Sequence, residues 1–345
     1  MSNIVTLDRD VPGVGTAGQT IDLSSGRYSL ALLPTDVHEA EEITTYLAGY
    51  KNFGYRADEM SPAVMVDKTV FKYRNFSSAN TFDEVAPTTS ATAAPLQIDP
   101  DSTLTSDETI PRSLATFIPN ETFANASSLY KPAMRASRNL WNKLMLYREV
   151  EVVRTLMGTS TSWDSTVRTS ASATWDAVGG DPMLDISSAV EASAQPVESI
   201  HMNRKVFNAM VRNDNFKDWL AAVTGDKGLG QSLVGQNGYD FKVPGFPTFK
   251  IHEAKRTAAA GGLEYILPDV AVLVTKPMST PVDGEEIASS YTFRFSGISN
   301  TGISFREFDV PDQGPNGGRL VVVSHQEKPI LTASTAGGIV TGVHS

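Results

Sequence analysis

The sequence predicts an α+β fold of at least two lobes, and three observations carry that expectation. A long segment near the middle, Arg138–Met157, has helical apolar spacing; the last third is dominated by short strands of alternating residues; and helices and strands follow one another closely between the two. At 345 residues the chain fits one large or two ordinary domains. A compact globule of that mass buries roughly three quarters of its unfolded surface. Apolar residues make up 41% and charged residues 20%, values of a globular protein rather than a disordered one.

Residues 1–35 are rich in Gly, Ser, Thr and Asp without a sustained period, and are expected to form an extended arm. Thr35 or Asp36 can cap a following helix with acidic first turns, and Gly49 would stop it. From Val64 the period changes to two: Phe71 and Tyr73 alternate with Val70, Lys72 and Arg74, which predicts one long strand. Residues 83–125 then carry seven acidic residues, one Arg and no Lys, with little periodicity. Read as a plain loop this stretch is unusually long for a compact domain. A protruding hairpin is expected instead, its return strand near Leu114–Ile118, ordered by neighbouring copies. The strand carrying Lys68, Lys72 and Arg74 would then oppose the acidic loop bearing Asp99, Asp101, Asp107 and Glu108, an arrangement suited to charge pairing between molecules.

The long helix is expected to begin near Asn125 or Ser127, with Pro132 tolerated in its first turns. Leu140, Leu144 and Tyr147 form one apolar stripe, and Leu146, Val150, Val153 and Met157 a second, displaced one. Two faces therefore call for partners. Glu151 is three residues from both Arg148 and Arg154, a spacing for intrahelical pairs. A short helix over Asp181–Ser193, a strand over Val197–Asn203 and a helix capped by Asn203 follow, the last with Val206, Phe207, Met210 and Val211 on one side. Another helix starts near Asn213 or Asp214, places Phe216, Trp219, Leu220 and Val223 together and ends at Gly225. After a glycine-rich loop, Gly225–Gly245, strands are predicted at Phe246–Glu253, Asp269–Thr275, Tyr291–Gly297, Ile303–Val310 and Gly318–Glu327. Tyr291, Phe293 and Phe295 share one face of theirs.

Composition excludes several function classes. The chain has no cysteine, which removes disulfides, thiolate nucleophiles and cysteine-based metal sites. Net charge is −10, with 29 Lys and Arg against 39 Asp and Glu, a balance that opposes tight phosphate-backbone binding by the chain as a whole but is compatible with a local basic strip. No apolar run approaches the ~20 residues of a membrane span. The N-terminal residues do not read as a secretory signal, so a cytoplasmic origin is expected.

The short motifs do not add chemistry. Gly13–Gly18 matches G-x-G-x-x-G, but Pro12 precedes it and no helical period follows, so flexible-arm glycine is the better account. The glycine-rich loop lacks the Gly–Lys–Ser/Thr of a phosphate cradle. His38, His201, His252, His325 and His344 are scattered without metal-ligand spacing. Ser324 and His325, as strand neighbours, point to opposite faces. The three Asn-x-Ser/Thr sites at Asn75, Asn120 and Asn125 are read as chance. The aromatic and basic stretch Phe71–Phe76 could stack on single-stranded nucleic acid, yet one such strand in an acidic chain is a weak argument. No catalytic, cofactor-binding or metal-ligating residue is assigned.

The order of parts carries more than any motif. An arm, a long hairpin, a long helix, an α/β lobe with a glycine-rich loop and returning strands together resemble the major capsid protein of tailed bacteriophages, the Hong Kong 97-type fold. The strand–helix–helix run from Val197 to Leu220, then Val243–Ala254 and Leu267–Pro277, is similar to that family's axial domain, and the ending from Gly318 to its final strands. The resemblance implies an N-terminal arm at 1–35 and an E-loop at 64–123. It implies a peripheral domain from 36–63, 124–180 and 277–316 with a spine helix at about 126–158, and an axial domain from 181–276 and 317–345.

It also implies a structural protein rather than an enzyme. Copies would assemble in the bacterial host cytoplasm into hexamers and pentamers of an icosahedral virion shell, enclosing double-stranded DNA without sequence-specific contact. Partners would be a separate scaffolding protein, since no scaffolding segment is found in the chain, a portal and a decoration protein, with no cofactor and no membrane. Lys68, Phe71, Lys72, Tyr73, Arg74 and Phe76 on the hairpin, and Arg148 and Arg154 on the helix, are the expected subunit contacts. The Lys–Asn crosslink of some relatives cannot be aligned to Lys68 or Lys72 and is not expected. An encapsulin-like nanocompartment shell and, further off, a nucleotide-dependent enzyme built on Gly13–Gly18 are the alternatives.

Overall fold

The computed structural model describes residues 4–6, 20–22, 38–39, 54–76, 102–126, 131–157, 162–224, 240–243, 245–259, 261–275, 287–297 and 302–344. In chain order the elements begin with β1 (Ile4–Thr6), β2 (Thr20–Asp22), β3 (His38–Glu39), α1 (Ala57–Met60), β4 (Ala63–Val66), β5 (Val70–Phe76), β6 (Ser102–Glu108) and β7 (Ile110–Pro119). The helices α2 (Asn120–Ala124) and α3 (Pro132–Met157), strand β8 (Arg168–Ser170), helix α4 (Pro182–Ala192), strand β9 (Ser199–Asn203) and helices α5 (Arg204–Arg212) and α6 (Asp214–Thr224) follow. The remainder is β10 (Asp240–Phe241), β11 (Thr248–His252), β12 (Lys255–Thr257), β13 (Leu263–Tyr265), β14 (Ala271–Val274), β15 (Ser290–Phe295), β16 (Ile303–Val310), β17 (Gly318–Leu331) and β18 (Gly338–Thr341). No helix among the described residues is long and apolar enough to cross a membrane.

Two compact units divide the chain. The smaller comprises Met1–Tyr50, Ser113–Trp141 and Ile303–Ser324. In it β1 and β2 form an antiparallel ribbon, and β3 pairs with β16 through Glu39 and Arg306. β17 is flanked by β16 and also pairs with β7. Gly318 has to be glycine, because a Cβ there would collide with the Ile118 carbonyl oxygen. The turn before it is fixed by Asn120, whose N–H donates to the Gly317 carbonyl (3.1 Å) and whose Nδ2 donates to that of Asn316 (2.9 Å).

The larger unit holds Lys51–Arg112, Asn142–Gly302 and His325–Ser345. Its six-stranded sheet runs β10–β11–β9–β14–β18–β8, with β11 parallel to β9 and β14 antiparallel to both β9 and β18. Alternation along β14 explains the layering: Ala271 and Leu273 join Ile200, Phe207, Met210 and Phe216 in one core, whereas Val272 and Val274 join Val152, Val153 and Leu156 of α3 in another. The sheet is thus covered on both faces, by α4–α6 on one and α3 on the other. A third core forms where β15 pairs with β17 and, in parallel, with β4, burying Val64, Tyr291, Phe293 and Ile330.

Most strands and helices from residue 181 onward form where the periodicity places them, and Asn203 caps α5 by accepting from the Val206 N–H at 2.8 Å. Five expectations need correction. His38–Glu39 is a strand, not the first turn of a helix, and most of the helix expected there lies outside the described residues. The long strand from Val64 is two strands, broken at Asp67–Thr69, where no glycine or proline announces the turn. The return strand of the hairpin is Ser102–Glu108, while Leu114–Ile118 belongs to β7. The long helix starts at Pro132, whose missing N–H suits a first-turn position, and Asn125 ends the separate helix α2. Finally, the second apolar stripe of α3 has its partner within the chain: Leu146, Val150 and Met157 pack against the core containing Val153. The arm's Gly13–Gly18 motif, the hairpin tip and the glycine-rich loop up to residue 239 lie outside the described residues.

Candidate functional site

Hairpin β5–β6 pairs in antiparallel register from Val70↔Glu108 to Phe76↔Ser102. Residues directly opposite share a face, so Phe71, Tyr73 and Asp107 lie on one side and Val70, Lys72, Arg74, Leu104 and Glu108 on the other. The first side is closed by its own chain. Phe71 is buried and stacks on Phe293 with ring centroids 4.4 Å apart, half-buried Tyr73 stands 5.6 Å from the same ring, and Lys328 donates to Asp107 at 2.6 Å. The second side is open, with Val70 55% and Leu104 59% exposed beside the exposed Lys72 and Arg74. Ser106 and Leu104 sit directly opposite these two cations, Glu108 lies on the same face, and Asp99 and Asp101 lie outside the described residues. Lys68 is exposed in the turn before β5, and Phe76 closes the ladder opposite Ser102.

The helix candidates part company. Arg154 is exposed on α3, where it rims an open cleft of about 680 Å³ also lined by Asn75, Asp107, Glu151 and Lys328. Arg148 is buried: its Nε donates to Glu327 Oε1 at 2.6 Å and its terminal nitrogens to Asp58. Glu327 also takes Arg294 at 3.0 Å, and Arg112 donates to the Glu327 carbonyl (3.2 Å) and pairs with Glu151. The intrahelical pairing expected of Glu151 therefore gives way to Arg112. Three guanidiniums meet three carboxylates here, and burial sharpens each interaction. Burial alone would lower the Arg148 pKa, but Glu327 and Asp58 outweigh it and hold the guanidinium above its usual range. Burial likewise pushes Glu327 up, and Arg148 and Arg294 bring it below the ordinary carboxylate value. Glu151 is raised by burial, with Arg112 offsetting part of the effect. His325 has no hydrogen-bond partner on either ring nitrogen; burial first, then the surrounding arginines, lower its pKa to about 4 despite Glu327.

A second cluster has no counterpart in the sequence reading. Ser199 Oγ lies 2.9 Å from His201 Nε2, His201 Nδ1 lies 2.8 Å from His252 Nε2, and His252 Nδ1 lies 3.7 Å from the Glu149 carboxylate. That carboxylate accepts from the backbone N–H groups of Arg56 (3.0 Å) and Ala57 (2.8 Å) at the start of α1. The Ser199 hydroxyl can donate to His201, and the two imidazoles share one proton across their contact, while His252 Nδ1 stands beside the carboxylate beyond hydrogen-bond distance. All four side chains are at most 2% exposed, so the serine and histidines meet no substrate and serve to tie α3 and α1 to the sheet. The parallel register of β9 and β11 brings the two histidines together, and nothing in their spacing of 51 residues announces it. Among the described residues no group of His, Asp and Glu is arranged to hold a metal ion.

No family model matches the chain. A major capsid protein of Pseudomonas phage JBD67 is 22% identical over 189 residues, a match covering 54% of this chain and 61% of the relative's length, less than two thirds of it. Among solved structures, a phage-related protein from Bordetella bronchiseptica RB50 superposes with a TM-score of 0.65 at 16% identity, covering 89% of this chain and 98% of that one. A protein assigned as the capsid protein of a prophage in Escherichia coli CFT073 gives 0.53 at 12% identity, over 88% and 99%. The chain has the Hong Kong 97-type capsid fold. The buried arginine–carboxylate cluster and the histidine cluster of this Hong Kong 97-type chain are both anchored on α3, through Arg148 and Glu149.

Proposed function

We propose that the chain is the major capsid protein of a tailed bacteriophage, which self-assembles into hexamers and pentamers of an icosahedral shell around double-stranded DNA. The observation that carries this reading is the half-finished hairpin: one face is packed on Phe293, and the other leaves Val70 and Leu104 in water between cations. Apolar residues held at that exposure on a two-stranded ribbon need a cover, and a sister subunit is the cover the fold offers. The same-sense resemblance over nearly the whole length of two solved structures supports it. On this reading Lys68, Lys72, Arg74 and Arg154 make the subunit contacts. Phe71 and Arg148 act from within by fixing the hairpin and the spine helix, because their own chain already buries them. Residues 1–35 serve as the arm, 64–123 as the E-loop, and the remainder as peripheral and axial domains. A scaffolding protein, portal and decoration protein complete the virion, which is assembled in the host cytoplasm.

Particle mass decides the matter. The expressed chain, supplied with its scaffold, is expected to sediment and image as closed shells of hundreds of copies. A stable monomer under those conditions overturns the proposal, and shells that purify filled with host enzyme and without nucleic acid would mark a nanocompartment instead.

A further inference from the structure

In the turn that leads into β17, Asn316 is followed directly by Gly317. The chain has one other Asn–Gly pair, Asn237–Gly238, which lies outside the described residues. An asparagine side chain can close a small ring on the backbone nitrogen of the next residue, and glycine, with no Cβ, leaves that nitrogen unhindered. Asn316 is exposed, so water reaches its amide. The smaller unit holds this turn through α2 and the residue before it: Asn316 Nδ2 donates to Glu121 Oε1 at 2.6 Å, and Asn120 donates to the Asn316 and Gly317 carbonyls at 2.9 and 3.1 Å. Only the first of these bonds involves the group that would react. It is exposed to solvent, and a bond of that kind slows a reaction that must break it by about tenfold at most.

We infer that Asn316 is a modification site, which deamidates spontaneously with water as its co-reactant and yields products that loosen the turn. The Gly317 nitrogen attacks Asn316 Cγ and loses its proton, and the Nδ2 amide leaves as ammonia, giving a succinimide. Water then adds to one of the two ring carbonyls. Breaking one C–N bond gives aspartate, and breaking the other routes the main chain through the former side chain as isoaspartate. Aspartate sets a carboxylate where the amide donated to Glu121, so a hydrogen bond becomes a like-charge contact. Isoaspartate lengthens the main chain by one carbon just before two tightly packed glycines. A Cβ at Gly317, where φ is +66°, would lie 3.0 Å from the Pro311 carbonyl oxygen, and one at Gly318 would collide with that of Ile118. Strand β17 starts at Gly318, so the extra carbon falls where the strand takes its register. All of these residues belong to the smaller unit, and the inference stands apart from the shell reading.

The test follows the full-length chain in mildly alkaline buffer by peptide mass mapping, beside the same chain unfolded in urea. The peptide holding Asn316 should gain about 1 Da, part of it as isoaspartate that an isoaspartyl methyltransferase labels. Its rate should fall within about tenfold of the unfolded chain, the most that the bond to Glu121 can withhold. Asn316→Gln, whose longer side chain closes a less favourable ring, should abolish the gain in that peptide. A folded chain more than tenfold slower than the unfolded one, or a gain that survives Asn316→Gln, overturns the site. The consequence has its own readout. Asn316→Asp should lower the melting temperature by about 2–4 °C at low salt, where an exposed like-charge contact is least screened. Adding Glu121→Gln should recover the loss, because the glutamine amide donates to the new carboxylate. Unchanged melting in the single variant, or no recovery in the double, overturns the assignment of Glu121 as the group that the product carboxylate meets.

Discussion

Strand β14 and hairpin β5–β6 are both short β elements with apolar residues on two sides, yet the chain treats them differently. In β14, Ala271 and Leu273 enter one core, Val272 and Val274 another, and water reaches neither face. In the hairpin, Phe71 and Tyr73 are committed to Phe293, while Val70 and Leu104 stay exposed. A strand covered on both faces encodes only its own fold. One covered on a single face is held in place by the fold and carries a second message outward. The buried polar clusters belong with β14 in this respect, since Arg148, Glu149 and Glu327 are satisfied internally.

The comparison breaks most easily at Glu327. Its carboxylate holds Arg148 and Arg294 at once, so Glu327→Ala leaves two guanidiniums short of a partner in a buried site. A loss of about 3–5 kcal/mol in urea unfolding is expected. Arg148→Met combined with Glu327→Leu should recover most of it, because neither charge is then stranded. If the single variant costs under about 1 kcal/mol, the cluster is solvated and the interior is less closed than its geometry implies.

His325 sharpens the same point through pH. Its folded pKa of about 4 lies below the ordinary value near 6.5, so across that interval the unfolded chain binds a proton that the fold refuses. Stability is complete above pH ~6.5, falls as the pH drops, and by about pH 4 has lost roughly 3 kcal/mol on this account. Wild type and His325→Phe compared by thermal unfolding across the window isolate the effect from the other histidines. Parallel curves would show that His325 titrates normally.

A smaller loss is expected at Asn203, which caps α5 and donates through Nδ2 to the Leu267 carbonyl (3.1 Å) and to Asp269 (2.7 Å). Asn203→Ala should cost about 2 kcal/mol, toward the upper end for a cap because the amide is buried. Urea midpoints check it.

Asn203 also shows what a sequence displays. A cap, the residues it precedes and the strand before it are contiguous, so their meaning is local, and the same holds for Tyr291, Phe293 and Phe295 alternating along β15. Strand β6 hides because Ser102–Glu108 contains a single leucine and no apolar alternation. Leu114–Ile118 is a short apolar run and so looks like the hairpin's return, but its partner is β17. The break at Asp67–Thr69 lacks turn residues of special conformation. The partners of Arg148 are still less visible, since Glu327 is 179 residues away and Glu149 meets His252 only through tertiary packing. What was legible was the order of parts, from which the fold followed, whereas each cross-chain polar contact depends on registers that no single segment contains.

The smallest effect on stability should accompany the largest on assembly. Leu104 is 59% exposed and opposite Arg74, so Leu104→Ser removes apolar surface that the isolated subunit has not buried. Surface changes of this kind move folding stability by no more than about 0.5 kcal/mol. If a sister subunit covers that face, the same substitution removes a buried leucine from every copy of the contact, and repetition around a closed shell multiplies the loss. Particle yield should therefore collapse while the melting temperature stays put. The matched change in β14, Leu273→Ser, should do the reverse and unfold the subunit before assembly is in question, because Leu273 is fully buried. Normal shells from Leu104→Ser would show that the open face of the hairpin is not where copies meet.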